Sequence, residues 1–194
     1  MSEPAKKILL NYADYLADES DERYELLDGE IVMQAAPSPV HQEISMELSR
    51  QLANFLEGKK CRVYPAPFDV RLFEEEGDSP ENVYTVFQPD ISVICDRSKI
   101  DSRGCKGAPD LVIEILSPST AGYDWIDKLN QYQKAGVREY WIADPQNQLV
   151  YVFLPKEGQL LLNKVYNKTE TVQVNILEGC SIDLSRVFPE QTEI

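Results

Sequence analysis

Glu114 sits in the middle of Leu111-Val-Ile-Glu-Ile-Leu116, an apolar run that reads as a strand covered on both faces. A carboxylate there is desolvated at a cost of several kcal/mol unless it is paired or ligated to a metal. Two Pro-Asp pairs open strands: Pro109-Asp110 begins the strand of Glu114, and Pro89-Asp90 begins another. By strand alternation Asp110, Val112, Glu114 and Leu116 share one face, while Leu111, Ile113 and Ile115 point the other way. Asp90 shares its face with Ser92 and Ile94. Placed on neighbouring strands, Asp90 and Glu114 converge on one divalent cation, a hard ion that prefers oxygen ligands. Asp110 reads as a strand-start residue or an acid behind the first two.

The elements that must position these groups are legible as pattern. Tyr12 to Leu16 reads as a short helix, and Tyr24 to Met33 as a hairpin turning at Asp28-Gly29. A helix opens at Ser38-Pro39, with Ser38 as N-cap, and buries Ile44, Leu48, Leu52, Phe55 and Leu56. Strands follow over Cys61 to Phe73, Phe87 to Cys95 and Pro109 to Leu116, with residues 74–86 as an exposed loop. Asp124 to Ala135 reads as a helix with Trp125, Leu129 and Tyr132 on its buried side, closed by Gly136. Ser117, Ser119 and Thr120 read as caps for it. Strands over Val137 to Asp144 and Leu149 to Leu154 and a β-rich tail from Leu160 to Ile182 complete an α/β chain, one mixed sheet flanked by helices.

At 194 residues the chain reads as a single domain, with a core over approximately 24–154 and a β-rich extension over 155–194. Composition removes several chemistries. His41 is the single histidine, which excludes multi-histidine zinc sites, and Cys61, Cys95, Cys105 and Cys180 form no Cys-x-x-Cys pair. Reduced, buried thiols are expected. No Gly-rich phosphate loop is present. No apolar run is long enough for a membrane span or a secretion signal, so a cytoplasmic protein is expected.

Pro89-Asp90 followed by Glu114-x-Leu116 resembles the core of the PD-(D/E)xK nucleases. More closely, the chain resembles the bacterial Uma-two family of restriction-endonuclease-like proteins. The stretches that carry the likeness are Tyr24-Glu-Leu-Leu-Asp-Gly29, Pro37-x-Pro-x-His41, Pro89-Asp90, Pro109 through Thr120, Asp124-x-x-x-Lys128 and Gly136 through Pro145. The resemblance implies a restriction-endonuclease-like mixed sheet flanked by helices, with extra hairpins at both ends. It also implies Mg²⁺ or Mn²⁺ and phosphodiester hydrolysis. Asp90, Glu114 and the carbonyl of Ile115 would hold the metal. The superfamily lysine, expected two residues after the glutamate, is Leu116 here, and the resemblance moves its role to Lys128. Lys128 also follows Asp124 by four residues, the spacing of an ordinary helix ion pair. Supporting places fall to Asp124, Glu25 and His41, the last reading either as a core or cap residue or as a group beside the cleft that contacts the phosphate or Glu25.

The net charge of -14 disfavours a polyanionic substrate, but the acid is unevenly placed. Residues 31–72 and 97–138, which hold His41, Glu114 and Lys128, are net +1 and +2, whereas 73–96 is net -7. Arg97, Lys99, Arg103 and Lys106 are the best candidates for a basic groove. The resemblance implies a metal-dependent endonuclease acting on DNA, and the superfamily's habit of cutting two strands implies a homodimer. The other readings are a nucleic-acid- or protein-binding module that keeps the fold without catalysis, and a hydrolase of smaller phosphoesters.

Overall fold

The computed structural model describes residues 8–117 and 122–189. Two six-stranded sheets and a two-stranded ribbon carry the chain. After a short helix α1 (Tyr12–Ala17), the hairpin β1 (Tyr24–Leu27) and β2 (Glu30–Met33) turns through Asp28 and Gly29, both at positive φ. Helix α2 (Pro39–Leu56) begins where Ser38 accepts from His41 N–H and buries Ile44, Leu48, Leu52 and Leu56. Each such Leu or Ile contributes about 1.5–3 kcal/mol on burial.

The central sheet runs β12-β11-β10-β9-β6-β3, formed by β3 (Arg62–Pro65), β6 (Ile91–Ile94), β9 (Leu111–Ile115), β10 (Glu139–Asp144), β11 (Leu149–Lys156) and β12 (Gln159–Asn167). Only β9 and β10 pair in parallel in this sheet, and a parallel pair needs a crossover. Residues 123–135 supply it: a π-helical turn, Tyr123–Lys128, runs into α3 (Leu129–Ala135), which ends at left-handed Gly136. One face of the sheet packs Leu111, Ile113 and Ile115 against α2. The other packs Val112, Tyr140 and Ile142 against Tyr132 of α3. The alternation read for β9 therefore holds, and Glu114 faces α3.

A second sheet, ordered β2-β1-β5-β4-β8-β7, adds β4 (Val70–Arg71), β5 (Val86–Phe87), β7 (Ile100–Asp101) and β8 (Gly104–Lys106) to the hairpin. Its presence corrects the one-sheet expectation in two places. The segment Cys61 to Phe73 is β3 in the central sheet and β4 in the second. Phe87 to Cys95 is likewise split between β5 and β6. Prolines lack the N–H that a continuous ladder needs, and Pro65, Pro67 and Pro89 mark the crossings. The two crossings touch, with Ala66 N–H donating to Asp90 O at 3.0 Å. Gly104 lets β8 approach Asp69 closely, because a Cβ there would lie 2.1 Å from Asp69 O.

The tail forms the ribbon β13 (Thr171–Gln173) and β14 (Ser181–Asp183), whose Val172 and Ile182 join the α2 side of the core. Among the described residues no helix is long and apolar enough to cross a membrane. The reduced-thiol expectation fails for two cysteines. The register Arg62↔Ile94 sets Cys61 opposite Cys95, with Cα atoms 3.9 Å apart, and the two form a disulfide. Cys105 and Cys180 are buried free thiols. The caps expected at Ser119 and Thr120 lie outside the described residues.

Candidate active site

Register brings the two acids together. Antiparallel β6 and β9 align Ile91 with Ile113, so Asp90, one residue before β6, arrives beside Glu114. Asp90 N–H lies 3.4 Å from Glu114 Oε2, and Ile115 N–H donates to Asp90 Oδ2 at 2.7 Å. Each strand end thus fixes the carboxylate of the other.

Lys128 closes this cluster from the crossover helix. Its Nζ lies 3.0 Å from Glu114 Oε1, 3.1 Å from Glu25 Oε1 and 3.7 Å from Asp124 Oδ1. Lys128 is only 3 % exposed, as is Asp124, whereas Trp125 and Leu129, read as the buried side of the helix, are half-buried. Three carboxylates make that burial tolerable, and the helical pair with Asp124 is the longest of the three contacts. Burial opposes the charge on Lys128, but Glu114, Glu25 and Asp124 outweigh it and hold its pKa well above the usual lysine value. Glu114 moves upward too: burial dominates, Lys128 opposes it, and nearby Asp90, Asp124 and Glu25 add to the rise.

Glu25 is held by β1 and by its surroundings. It accepts from Gln88 N–H at 2.7 Å and from Gln34 Nε2 at 2.9 Å. Tyr132 donates its hydroxyl to Glu114 Oε1 at 2.6 Å. Sequence reasoning missed Tyr132, Gln34 and Gln88 as members of the site. Tyr132 was legible in principle, four residues after Lys128 on the same helix face. Gln88 carried no signal, since its main-chain N–H does the work.

His41 meets Asp90, not Glu25: its Nε2 lies 3.1 Å from Asp90 Oδ2. Burial opposes protonation of the ring, yet Asp90, Asp124 and the Ile115 carbonyl outweigh it and raise the pKa above 6.5. Nδ1 is buried without a hydrogen-bond partner among the described residues. Asp110 lies at the far end of β9, where it accepts from Cys95 N–H at 2.7 Å and Arg138 Nη1 at 3.0 Å. That is a strand-start role.

The cluster lies in the wall of a cleft of about 1170 Å³, bordered by α2, the β2–α2 connection and the start of the crossover helix. Asp90, Glu114, Asp124, Lys128 and His41 all line it, as do Ile115 and Leu116. Arg97, Lys99, Arg103 and Lys106 do not. The proposed basic groove is therefore absent from the cleft among the described residues. Lys99 donates to Ala108 O at 2.8 Å, and Lys106 lies 3.7 Å from Asp101.

The profile of the Uma2 family, described as "Putative restriction endonuclease", matches residues 10–185. The chain belongs to this family. Two proteins of Synechocystis sp. (strain ATCC 27184 / PCC 6803 / Kazusa) are similar to it. "Uncharacterized protein slr1290" is 33 % identical over 111 residues, 57 % of this chain and 54 % of that protein. "Uncharacterized protein sll1609" is 30 % identical over 141 residues, 70 % of this chain and 75 % of that protein. The match thus spans about half the length of the first relative. A crystal structure described as "a putative nuclease belonging to DUF820 from Anabaena variabilis ATCC 29413" superposes with a TM-score of 0.72 at 22 % identity. The superposition covers 92 % of this chain and 97 % of that one. The fold is accordingly that of the Uma2 proteins, and the family supports a nuclease-type function.

Proposed function

We propose that this Uma2 protein is a Mg²⁺- or Mn²⁺-dependent endonuclease that hydrolyses phosphodiester bonds in DNA. The convergence of Asp90, Glu114 and Lys128 from three separate elements onto one cleft wall carries the reading. A cation is accommodated by the chemistry of the donor set. Two carboxylates and the Ile115 carbonyl are hard oxygen donors, and His41 contacts the same Asp90 oxygen that Ile115 N–H holds. Among the described residues no three His, Cys, Asp or Glu side chains surround one point. A donor set of two carboxylates and a carbonyl suits Mg²⁺, which uses one or two carboxylates and keeps several waters, better than zinc with its nitrogen and sulfur ligands.

Asp90, Glu114 and the Ile115 carbonyl would hold the ion, which when bound polarises the phosphate and lowers the pKa of the attacking water. The remaining work falls to the chain. Glu25 and Asp124 keep Lys128 protonated, so that its ammonium stabilises charge developing on the phosphoryl oxygens. Tyr132 fixes the rotamer of Glu114. The superfamily's lysine position is Leu116, but Lys128 reaches Glu114 at 3.0 Å from the helix, which supports a displaced lysine in the same role.

The test is cleavage of DNA with added Mg²⁺ or Mn²⁺ by wild type, Asp90→Asn, Glu114→Gln and Lys128→Ala. The expected result is activity in wild type and its loss in each variant. Activity retained by all three sinks the assignment. A wild type that neither cleaves nor binds the metal would leave a binding module on a nuclease fold.

A further inference from the structure

Resting on the nuclease reading, we infer that the substrate is single-stranded DNA, gripped by ring stacking and neutral hydrogen bonds instead of a basic track. The evidence lies in the charge of the cleft. Duplex DNA presents one phosphate charge per about 1.7 Å of axis, and proteins that bind it neutralise several phosphates with Lys and Arg. Among the described residues, the basic side chains lining this cleft are Arg23, His41 and Lys128. Lys128 is surrounded by Glu25, Glu114 and Asp124, and His41 is paired with Asp90. Arg23, which is exposed, is the remaining cation of the described lining. Asp90, Glu114, Asp124 and Asp144 line the same space, and a divalent ion offsets only two of those charges.

What the cleft does offer suits an unpaired strand. Trp125 lines it, half-buried, its indole fixed by edge contacts with Tyr151 and Phe153 at 4.8 and 5.8 Å between centroids. Asp90, Glu114 and Asp124 line the same cleft, so a base against the indole lies in the space the acids border. Gln42 lines the cleft too, as does Gln34, whose Nε2 donates to Glu25, and their amides offer further donors and acceptors to base edges or sugars. Ala35, Ala36 and Pro67 add apolar wall. Aromatic stacking serves any base but requires it to be out of a duplex. At about 1170 Å³ the space exceeds the roughly 300–1,000 Å³ usual for small-molecule sites, giving room for more than one nucleotide.

The experiment compares a single-stranded oligonucleotide, the same sequence as a duplex, and bis(4-nitrophenyl) phosphate, each with Mn²⁺ across a salt series. The single strand is expected to be cleaved at least about tenfold faster than the duplex. Its affinity should fall with salt at a log–log slope near -0.7, the value for one neutralised phosphate on a single strand. Trp125→Ala should raise KM for the single strand about tenfold, with Trp125→Phe restoring most of it, as expected of stacking. Arg97→Ser and Arg103→Ser, outside the cleft, should leave the salt slope unchanged. Equal or faster duplex cleavage overturns the inference, as does a slope of about -3 or steeper. Hydrolysis of bis(4-nitrophenyl) phosphate alongside such a result leaves the nuclease reading standing. Absence of hydrolysis of all three substrates removes both.

Discussion

Glu25 Oε1 stands 3.1 Å from Lys128 Nζ, almost as close as Glu114 Oε1 at 3.0 Å. Lys128 is therefore shared between an acid on the edge hairpin and an acid on the central sheet. Glu25 orients the ammonium and is not among the groups that would hold the metal, so it is a positioning residue. Glu25→Gln is expected to lower kcat on bis(4-nitrophenyl) phosphate by about 10- to 100-fold, the usual cost of disturbing an outer-shell partner. KM should change little, and Glu25→Asp should restore part of kcat. A loss confined to KM would contradict the positioning role.

The same sharing predicts a stability coupling. Lys128→Met leaves Glu25, Glu114 and Asp124 buried with no ammonium between them, and breaking a buried pair in this way costs about 3–5 kcal/mol. Removing one of the stranded acids as well should recover part of that loss. Urea unfolding of Lys128→Met and of Glu25→Gln/Lys128→Met checks this, with the double variant expected to be the more stable. Additive losses would show that the two groups act independently.

How much of this was legible depended on whether a signal was local. Asp90 and Glu114 could be read because strand alternation fixes a face, and a carboxylate in Leu-Val-Ile-Glu-Ile-Leu demands an explanation. The depth of Lys128 could not, because helical patterns assign lysine to the solvent side unless its partners are known, and those come from β1 and β9. The second sheet was hidden for a similar reason. Its strands β4, β5 and β7 are two residues each, too short for periodicity to register. The Cys61–Cys95 disulfide depends on β3–β6 register, a nonlocal pairing that spacing does not reveal. The charged run at 97–106 looked like a groove because sequence shows which residues are basic but not which way the strands carry them.

His41 is the single histidine, so its titration can be followed by NMR without assignment ambiguity. In metal-free protein, burial lowers the affinity of the ring for a proton, and Asp90 with Asp124 and the Ile115 carbonyl more than restores it. The ring is expected to titrate above 6.5 in wild type and below it in Asp90→Asn, where burial is left less opposed. With the folded value raised, His41 contributes stability that is complete below its unfolded pKa and lost as pH rises through the folded one. Unchanged titration in Asp90→Asn would show that the 3.1 Å contact is not an ion pair in solution.

Away from the site, Arg71 gives a prediction of opposite sign. It is 1 % exposed and bonded to Glu74 and, at 2.7 Å, to Asp101. Partial burial pushes the Asp101 carboxyl up, but the Arg103 N–H and the Arg71 guanidinium outweigh it, and the net direction is below the ordinary 3.8. The stabilisation is therefore present above pH 3.8 and lost as pH falls through the lower folded value. Asp101→Asn should lower the urea midpoint at pH 7, and the gap from wild type should narrow as pH drops below 3.8. No gap at pH 7 would mean that Asp101 acts through its turn hydrogen bond to Arg103 N–H, which asparagine also makes, and not through charge on Arg71.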